Sequence, residues 1–412
     1  MNRHRGDAAG TWLLGGLSAV SIAAVFAFGA YVLVSGFTAF WPQRVIELTL
    51  HDGSRVLGEV VGGDARAIAL RGSERVRAGD AYLRIALGDI VDQAWPADVV
   101  AIIHADGRRA FARGDATISD GTPAEVTRPN ALSFPARIGL ACARAARFVA
   151  TAPAAGGVGG GVLPAVAGTL TLVVLTSLFV MPVGIGAAAF LHLRRGPAVR
   201  IVRAAIDTLA GVPSIVYGVI GLGLLVHGMG GSLDRLLHAE RLAVPTWGAG
   251  GLLWAALTMA LLTLPVVVIS VEEGLQRIPK PLRDGSLALG ASREETLWRM
   301  SLPAARPAVL TGLVLAITRT CGAVAPLMLV GVVELAPALP LDGTFPYLHP
   351  ARQFMHLGYS VHTAALTSSD AIRGIPRAYA CAALLVIVAA TLNLVAIVLR
   401  NRLRERYREL GT

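Results

Sequence analysis

The stretch from Asp284 to Pro303 reads DGSLALGASREETLWRMSLP, and it lies in a charged segment between two long apolar runs. Gly290 divides this stretch, and glycine accepts turn conformations that other residues rarely adopt. We therefore expect two short helices at an angle, one on each side of Gly290. Such an element can occupy a groove of a partner protein, whereas an ordinary amphipathic loop is the alternative. Residues 272–306 are called the Gly290 loop.

Six apolar runs lie around this loop and further out along the chain. A membrane-spanning helix needs roughly 20 mostly apolar residues. Only 16% of the residues are charged, against about 25% in soluble domains. The runs are Thr11–Trp41, Leu163–Leu191, Thr208–Leu233, Leu242–Val271, Pro307–Val333 and Ala378–Leu399. We therefore predict an all-α integral membrane protein with six transmembrane helices.

The first run could instead be a cleaved signal peptide. It is too long for one, however, and it ends in Phe40 and Trp41 rather than in a small-residue cleavage site. We therefore predict a retained transmembrane helix.

Basic residues concentrate on one side of the predicted membrane. The N-terminus, the loops after helices 2 and 4, and the C-terminal tail hold 17 Lys and Arg residues, and the two short loops opposite hold five. Because basic loops remain in the cytoplasm, we predict that both termini are cytoplasmic. The net charge of +10 then reflects topology, and we expect no nucleic-acid partner.

The segment between helices 1 and 2 has a different composition. Residues 45–50 alternate between apolar and polar, and Asp52–Gly53 follows them, as in a β-hairpin. A second Asp-Gly pair stands at Asp106–Gly107. We predict a small β-rich extracytoplasmic insert to about residue 130, which serves as a spacer or a docking surface. An amphipathic helix over 131–150 and a Gly-rich linker at 156–161 complete it.

These features divide the chain into four predicted domains. They are residues 1–41 with the cytoplasmic N-terminus and helix 1, residues 42–162 with the periplasmic insert, residues 163–399 with helices 2–6, and residues 400–412 as a basic cytoplasmic tail.

No catalytic, metal or nucleotide site is expected in this chain. A P-loop needs a lysine followed by Ser or Thr, but the single lysine, Lys280, precedes Pro281. His349, His356 and His362 are spaced 7 and 6 residues apart, which fits no compact metal-ligand pattern. We therefore predict a protein that is not an enzyme and binds no cofactor, so that any ATP and Mg²⁺ must be bound by a partner subunit.

Two features inside the predicted helices indicate a polar pathway. Pro213 frees a backbone carbonyl within helix 3, and Gly211 and Gly218 allow close helix approach. Arg319 lies 13 residues after Arg306, about 20 Å along a helix. A charge at that depth usually faces a pore or a partner, and the Arg fork suits phosphate. A packing kink at Pro213 and an ion pair of Arg319 with a partner's helix are the alternatives.

The Gly290 loop resembles the E-A-A loop of ABC-importer permeases, whose pattern is E-A-A, three residues, Gly, nine residues and I-x-L-P. The matching positions are Asp284, Gly285 and Ser286 for the triplet, Gly290 for the glycine, and Met300, Leu302 and Pro303 for the end. The resemblance implies that these residues couple the chain to an ATPase subunit.

Two further segments are similar to the phosphate importers within that class. Residues 211–218 read GVPSIVYG, like a signature of that family, and residues 319–327 read RTCGAVAPL where the family has R-x-x-G-E-T-A-P-L. Ala323 and Val324 replace the family's Glu and Thr. The resemblance implies a type I ABC-importer permease fold of the PstA type. The implied substrate-pathway residues are Gly211, Pro213, Ser214, Tyr217 and Arg319.

The resemblance also implies a function and partners. The chain is expected to be the channel-forming permease of an ATP-driven phosphate importer in the bacterial inner membrane. The implied partners are a second permease of the PstC type, an ABC ATPase dimer, a periplasmic phosphate-binding protein and membrane lipid. Two alternatives stay open: a permease for another oxyanion such as sulfate or molybdate, and a membrane scaffold or sensor that transports nothing.

Overall fold

The computed structural model describes residues 3–64, 67–71, 82–104, 109–114, 123–153, 160–238, 245–367 and 371–409. The chain divides into two compact units. The first unit comprises Met1–Leu163 and Val361–Ala383, and the second comprises Pro164–Ser360 and Leu384–Thr412. Residues 361–383 therefore group with the N-terminal part of the chain, although the sequence analysis places them in the core of helices 2–6.

The elements follow one another in a simple order. The N-terminal part holds α1 (Arg3–Thr38), β1 (Val45–Leu50), β2 (Arg55–Asp64), β3 (Ala67–Arg71), β4 (Tyr82–Ala86), a 3₁₀ turn (Leu87–Asp89), β5 (Ile90–Ala94), β6 (Val99–His104), β7 (Arg109–Arg113), β8 (Pro123–Thr127) and α2 (Phe134–Ala150). The remainder holds α3 (Leu163–Leu193), α4 (Pro197–Gly211), α5 (Ser214–Ile220), a π-helical turn (Gly221–Gly230), α6 (Gly231–His238), α7 (Leu252–Gln276), α8 (Lys280–Ala288), α9 (Arg293–Thr296), a π-turn (Leu297–Ser301), α10 (Leu302–Ala304), α11 (Arg306–Gly322), α12 (Ala325–Val330), α13 (Leu357–His362), a π-turn (Thr363–Thr367) and α14 (Ala371–Glu409).

The strands of the first unit form two sheets, in the orders β4-β3-β2-β1-β5 and β7-β6-β8. The Asp52–Gly53 turn joins β1 and β2 as predicted. Gly53 has a φ of +78°, and Asp52 Oδ1 accepts a hydrogen bond of 2.8 Å from the Ser54 N–H. The strands that flank Asp106–Gly107 also pair antiparallel, but this turn and most of the Gly-rich linker lie outside the described residues.

Helix α1 packs against the first part of α14 within the first unit. A Cβ built on Gly36 would lie 2.4 Å from the Ala383 Cβ and 2.8 Å from the Tyr379 carbonyl oxygen. The hydroxyls of Tyr31 and Tyr379 are 3.3 Å apart. Any side chain larger than hydrogen at Gly36 would therefore force these two helices apart.

Several helices are long and apolar enough to cross a membrane. In the described part of the chain, five segments qualify: Gly15–Thr38, Leu163–Leu193, Ser214–Leu237, Leu252–Gln276 and Gly374–Arg402. A sixth candidate is a broken one, in which Arg293–Ala304 and Arg306–Gly322 meet at 66°. Five of the six predicted apolar runs therefore overlap an unbroken candidate span.

The predicted continuous helix over Pro307–Val333 is wrong. Helix α11 ends at Gly322, and Ala323 is extended, with φ −86° and ψ 109°. Pro326 contributes to the break, because it has no N–H to donate to the Gly322 carbonyl, and it lies in the first turn of α12, where proline is tolerated.

The third and fourth predicted spans begin later than expected, at Ser214 and Leu252. Pro213 separates α4 from α5. Before α7, Gly250 adopts a φ of +80° and the chain turns there, while residues 242–244 lie outside the described residues.

Candidate functional site

The Gly290 loop forms two short helical segments that meet at Gly290. Helix α8 lies before this glycine, and the segment Arg293–Ala304 lies after it. Gly290 has a φ of +90°, in the left-handed region that favours glycine. The two expected helices and the turn between them are therefore present.

Polar contacts hold the two halves of the loop together and to α3. Ser286 Oγ lies 3.0 Å from Thr296 Oγ1 across the turn. Ser292 caps the second half, because its hydroxyl accepts from the Glu295 N–H and the Glu295 carboxylate accepts from the Ser292 N–H. Arg283 lies 3.1 Å from the ring of His192 at the end of α3. Side-chain contacts therefore join the two halves of the loop to each other and to α3.

The tip of the loop presents apolar side chains to its surroundings. Leu289 is 91% exposed, Leu282 56% and Trp298 54%. Asp284 and Gly285 are exposed beside them, whereas Leu302 and Pro303 are half-buried. Exposed apolar clusters commonly mark interaction sites, and the expected partner-binding role of this loop stays a prediction. Leu289 is not among the predicted coupling residues, although it adjoins Gly290.

The break before α5 brings the second group of predicted residues together. Pro213 has no N–H to donate to the Leu209 carbonyl. The Tyr217 hydroxyl donates to that carbonyl at 2.5 Å, and the Val212 N–H donates to it at 3.2 Å. Tyr217 is buried, so it stabilises the broken helix end. Gly211 and Pro213 are exposed, and Ser214 is half-buried.

Arg319 lies in the last turn of α11. It is half-buried, and its guanidinium is within electrostatic range of the Tyr217 phenol. Within the described residues, no ion pair or side-chain hydrogen bond of Arg319 is formed. The family's Glu would stand four positions later, at Ala323, just beyond the end of α11.

Close backbone contacts join α5 to α12. A Cβ on Gly218 would lie 2.7 Å from the Pro326 Cα. The GVPSIVYG segment therefore packs on the segment that follows Arg319, and both helix breaks lie in one region of the second unit.

The three histidines do not converge in the described structure. His349 Nε2 lies 3.0 Å from Asp342 Oδ1, while His356 is fully buried. The Gly358 N–H donates to His356 Nδ1 at 3.1 Å, so Nε2 carries the proton, and Nε2 has no partner among the described residues. Burial lowers the pKa of His356 to about 4 from its ordinary value of 6.5.

This buried imidazole predicts a loss of stability at acidic pH. The unfolded chain takes up a proton near pH 6.5 that the folded chain resists until about pH 4. The contribution of neutral His356 to the free energy of unfolding is therefore fully present above pH 6.5. It falls by roughly 3 kcal/mol as the pH drops to 4. Thermal unfolding in detergent at pH 7.5 and 5.0 measures this. His356→Asn keeps an acceptor for Gly358 and should flatten the dependence, whereas His51→Asn, at an exposed position, should not. An unchanged slope in His356→Asn would contradict the assignment.

Comparisons with known proteins identify the family of the chain. Residues 180–409, more than half of the chain, match the family described as "Binding-protein-dependent transport system inner membrane component". The chain is 31% identical over 246 residues to the phosphate transport system permease protein PstA 1 of Mycobacterium tuberculosis (strain CDC 1551 / Oshkosh), covering 58% of this chain and 71% of that protein.

Two further comparisons cover other proteins. The probable ABC transporter permease protein YqgH of Bacillus subtilis (strain 168) is 32% identical over 185 residues, which span 44% of this chain and 56% of YqgH. Among solved structures, the MetNI methionine ABC transporter in an inward-facing conformation covers 59% of this chain and 95% of that chain, at 16% identity and a TM-score of 0.44.

Proposed function

The chain belongs to the family of binding-protein-dependent transport system inner membrane components, and on that premise we propose that it is the channel-forming permease subunit of an ATP-driven phosphate importer. It is a multi-pass membrane protein with several apolar helices. It is a transport component and not an enzyme, and its sequence lacks a P-loop. Energy must then come from separate ATPase subunits that bind ATP and Mg²⁺.

The Gly290 loop is the observation that carries this proposal. Its two short helices meet at a left-handed glycine and present Leu289 almost fully exposed. An apolar tip on a fixed helical element suits a groove in an ATPase subunit. In the proposed mechanism, closure of the ATPase dimer moves this loop as one body and transmits the movement to α7 and α11, which flank it in the chain.

Phosphate is the proposed substrate because of Arg319 and the similarity to PstA 1. Arg319 has no acidic partner among the described residues and lies near Tyr217. A guanidinium can hold phosphate through two parallel hydrogen bonds. Gly211, Pro213 and Ser214 would shape the pathway at the break between α4 and α5. Tyr217 would stabilise that break.

The proposed assembly completes the pathway. We place six spans in the bacterial inner membrane, with the broken pair that ends at Gly322 as the fifth. Both termini and the Gly290 loop face the cytoplasm, and the β-rich insert faces the periplasm. A second permease of the PstC type would form the other half of the channel, and a periplasmic phosphate-binding protein would deliver the anion.

Uptake into proteoliposomes tests the proposal. The chain is reconstituted with its partner permease and ATPases, and ATP-dependent entry of radiolabelled phosphate is compared with entry of sulfate and molybdate in the presence of the binding protein. Phosphate entry that requires ATP is expected. Entry of sulfate or molybdate alone would identify another oxyanion as substrate, and no entry of any anion by an assembled complex would favour a scaffold.

A further inference from the structure

A cavity of about 430 Å³ lies wholly within the first unit, apart from the residues proposed for transport. Its volume falls in the range of roughly 300–1,000 Å³ that is typical of small-molecule sites. The walls come from strands of both sheets, the end of α1, α2 and the beginning of α14. Three aromatic side chains line one side, namely Phe40, Trp41 and Phe148.

The cavity carries an excess of positive charge. Glu59 is its one acidic lining residue among those described, and the side chain is only 8% exposed. Arg109 donates to Glu59 at 2.5 Å, and the Arg71 guanidinium lies 4.0 Å from the same carboxylate. Arg377 is a third cation on the wall. Among the described residues, three arginines and one carboxylate therefore line the cavity.

Arg377 is held at the wall without an acidic partner in the described part of the chain. Its guanidinium stacks over the Phe148 ring, 5.6 Å from the centroid. It donates to the Gly160 carbonyl at 3.2 Å and reaches the Gly161 carbonyl at 3.5 Å. These contacts fix the orientation of the group, and they place no carboxylate beside it among the described residues. A bound anion would be attracted to this charge.

The cavity also lies where two candidate membrane spans begin or end. Thr38 is the last residue of the span Gly15–Thr38, and Arg377 lies in the first turn of the span Gly374–Arg402. Trp41 stands three residues beyond the first span, as aromatic residues commonly do at a membrane interface. Arg favours phosphate oxygens, which inorganic phosphate and phospholipid headgroups both carry.

We propose that this cavity binds a phosphate group, either inorganic phosphate or the headgroup of a phospholipid. The proposal goes beyond transport, because none of these residues belongs to the Gly290 loop or to the region around Arg319. Arg377 and Arg109 would donate to the phosphate oxygens, and Trp41 and Phe148 would border the apolar side of the ligand.

Two binding measurements on the full chain test the proposal and separate the two sources. Both use an Arg319→Met background, so that the proposed transport pathway does not contribute. Equilibrium dialysis of radiolabelled inorganic phosphate against the chain in phosphatidylcholine nanodiscs reports the free anion. Native mass spectrometry after incubation with phosphatidylglycerol reports the headgroup. At least one of these probes should bind.

Substitutions at Arg377 and a control at Arg44 test whether the cavity holds the probe. Arg377→Gln should lower the affinity for the probe by at least about tenfold, which is the loss that corresponds to one charge-assisted hydrogen bond. Arg377→Lys keeps the charge and should retain most of the binding. Arg44→Gln makes the same charge change at an exposed residue that does not line the cavity, and it should bind like the parent. Binding of neither probe, equal binding in parent and Arg377→Gln, or equal loss in the Gln and Lys variants would overturn the proposal.

Discussion

Phosphate uptake by the reconstituted complex should fall roughly 10- to 100-fold when Arg319 is replaced with Met. A hydrogen bond to a charged group contributes roughly 1.5–3 kcal/mol, and that energy corresponds to this loss of rate or affinity. Met has a similar length and is apolar, so it suits the half-buried position in α11. The measurement is the initial rate of ATP-dependent phosphate entry into proteoliposomes at equal protein content.

Two controls decide how this loss is interpreted. Arg200→Met removes an exposed cation of α4 and should leave uptake within about twofold, since isolated surface charges contribute little. Co-purification of the partner permease distinguishes the two roles of Arg319. A stable complex that does not transport supports a place in the anion pathway, whereas a complex that no longer assembles supports an ion pair with the partner. Normal uptake by Arg319→Met would remove this residue from the pathway.

Replacing Gly290 with Val should uncouple ATP hydrolysis from transport, with a loss of uptake of at least about tenfold. A β-branched residue at a φ of +90° is strained by roughly 1–3 kcal/mol, and the turn can relieve that strain only by changing the angle between its two helices. The exposed tip of the loop at Leu289 would then no longer fit the proposed groove of the ATPase subunit. Uptake and binding-protein-stimulated ATPase activity of the same complex are the two readouts.

Gly285→Ala is the matched control for this substitution. A Cβ added at Gly285 or at Gly290 meets no atom within 4 Å, so space is available at both positions. Only Gly290 has a positive φ, whereas Gly285 lies within α8. Gly285→Ala should therefore keep full coupling, and it restores the Ala of the E-A-A pattern. Equal activity of the two variants would mean that the backbone geometry at Gly290 does not matter for coupling.

Local patterns predict those parts of the fold that depend on local interactions. The apolar runs at 163–191 and 378–399 identify helices because their composition alone suits a bilayer. The Asp52–Gly53 turn and the Gly290 turn follow from residues that tolerate unusual backbone angles. Pro326 also indicates a helix break near Ala323. The uninterrupted hydrophobicity of residues 307–333 favours a single helix instead, and that prediction is wrong.

Other parts of the site depend on contacts between distant residues. Glu59 and Arg377 line one cavity although more than 300 positions separate them in the sequence, and no local pattern connects them. The grouping of residues 361–383 with the first unit has the same origin. The exposure of Leu289 and the burial of Tyr217 are likewise decided by packing, because a sequence shows that a residue is apolar or aromatic but not what covers it.

The contact between α1 and α14 has a consequence for biosynthesis. Tyr31 and Tyr379 are 348 residues apart in the chain, and Gly36 fits closely against Ala383. Helix α1 therefore cannot find its final neighbour until α14 has been translated, more than 300 residues later. During that interval its apolar face and Gly36 must be covered by lipid or by a chaperone, as for other late-forming contacts. Premature termination before residue 371 would leave α1 in the membrane without its partner helix, in a form that quality-control proteases can recognise.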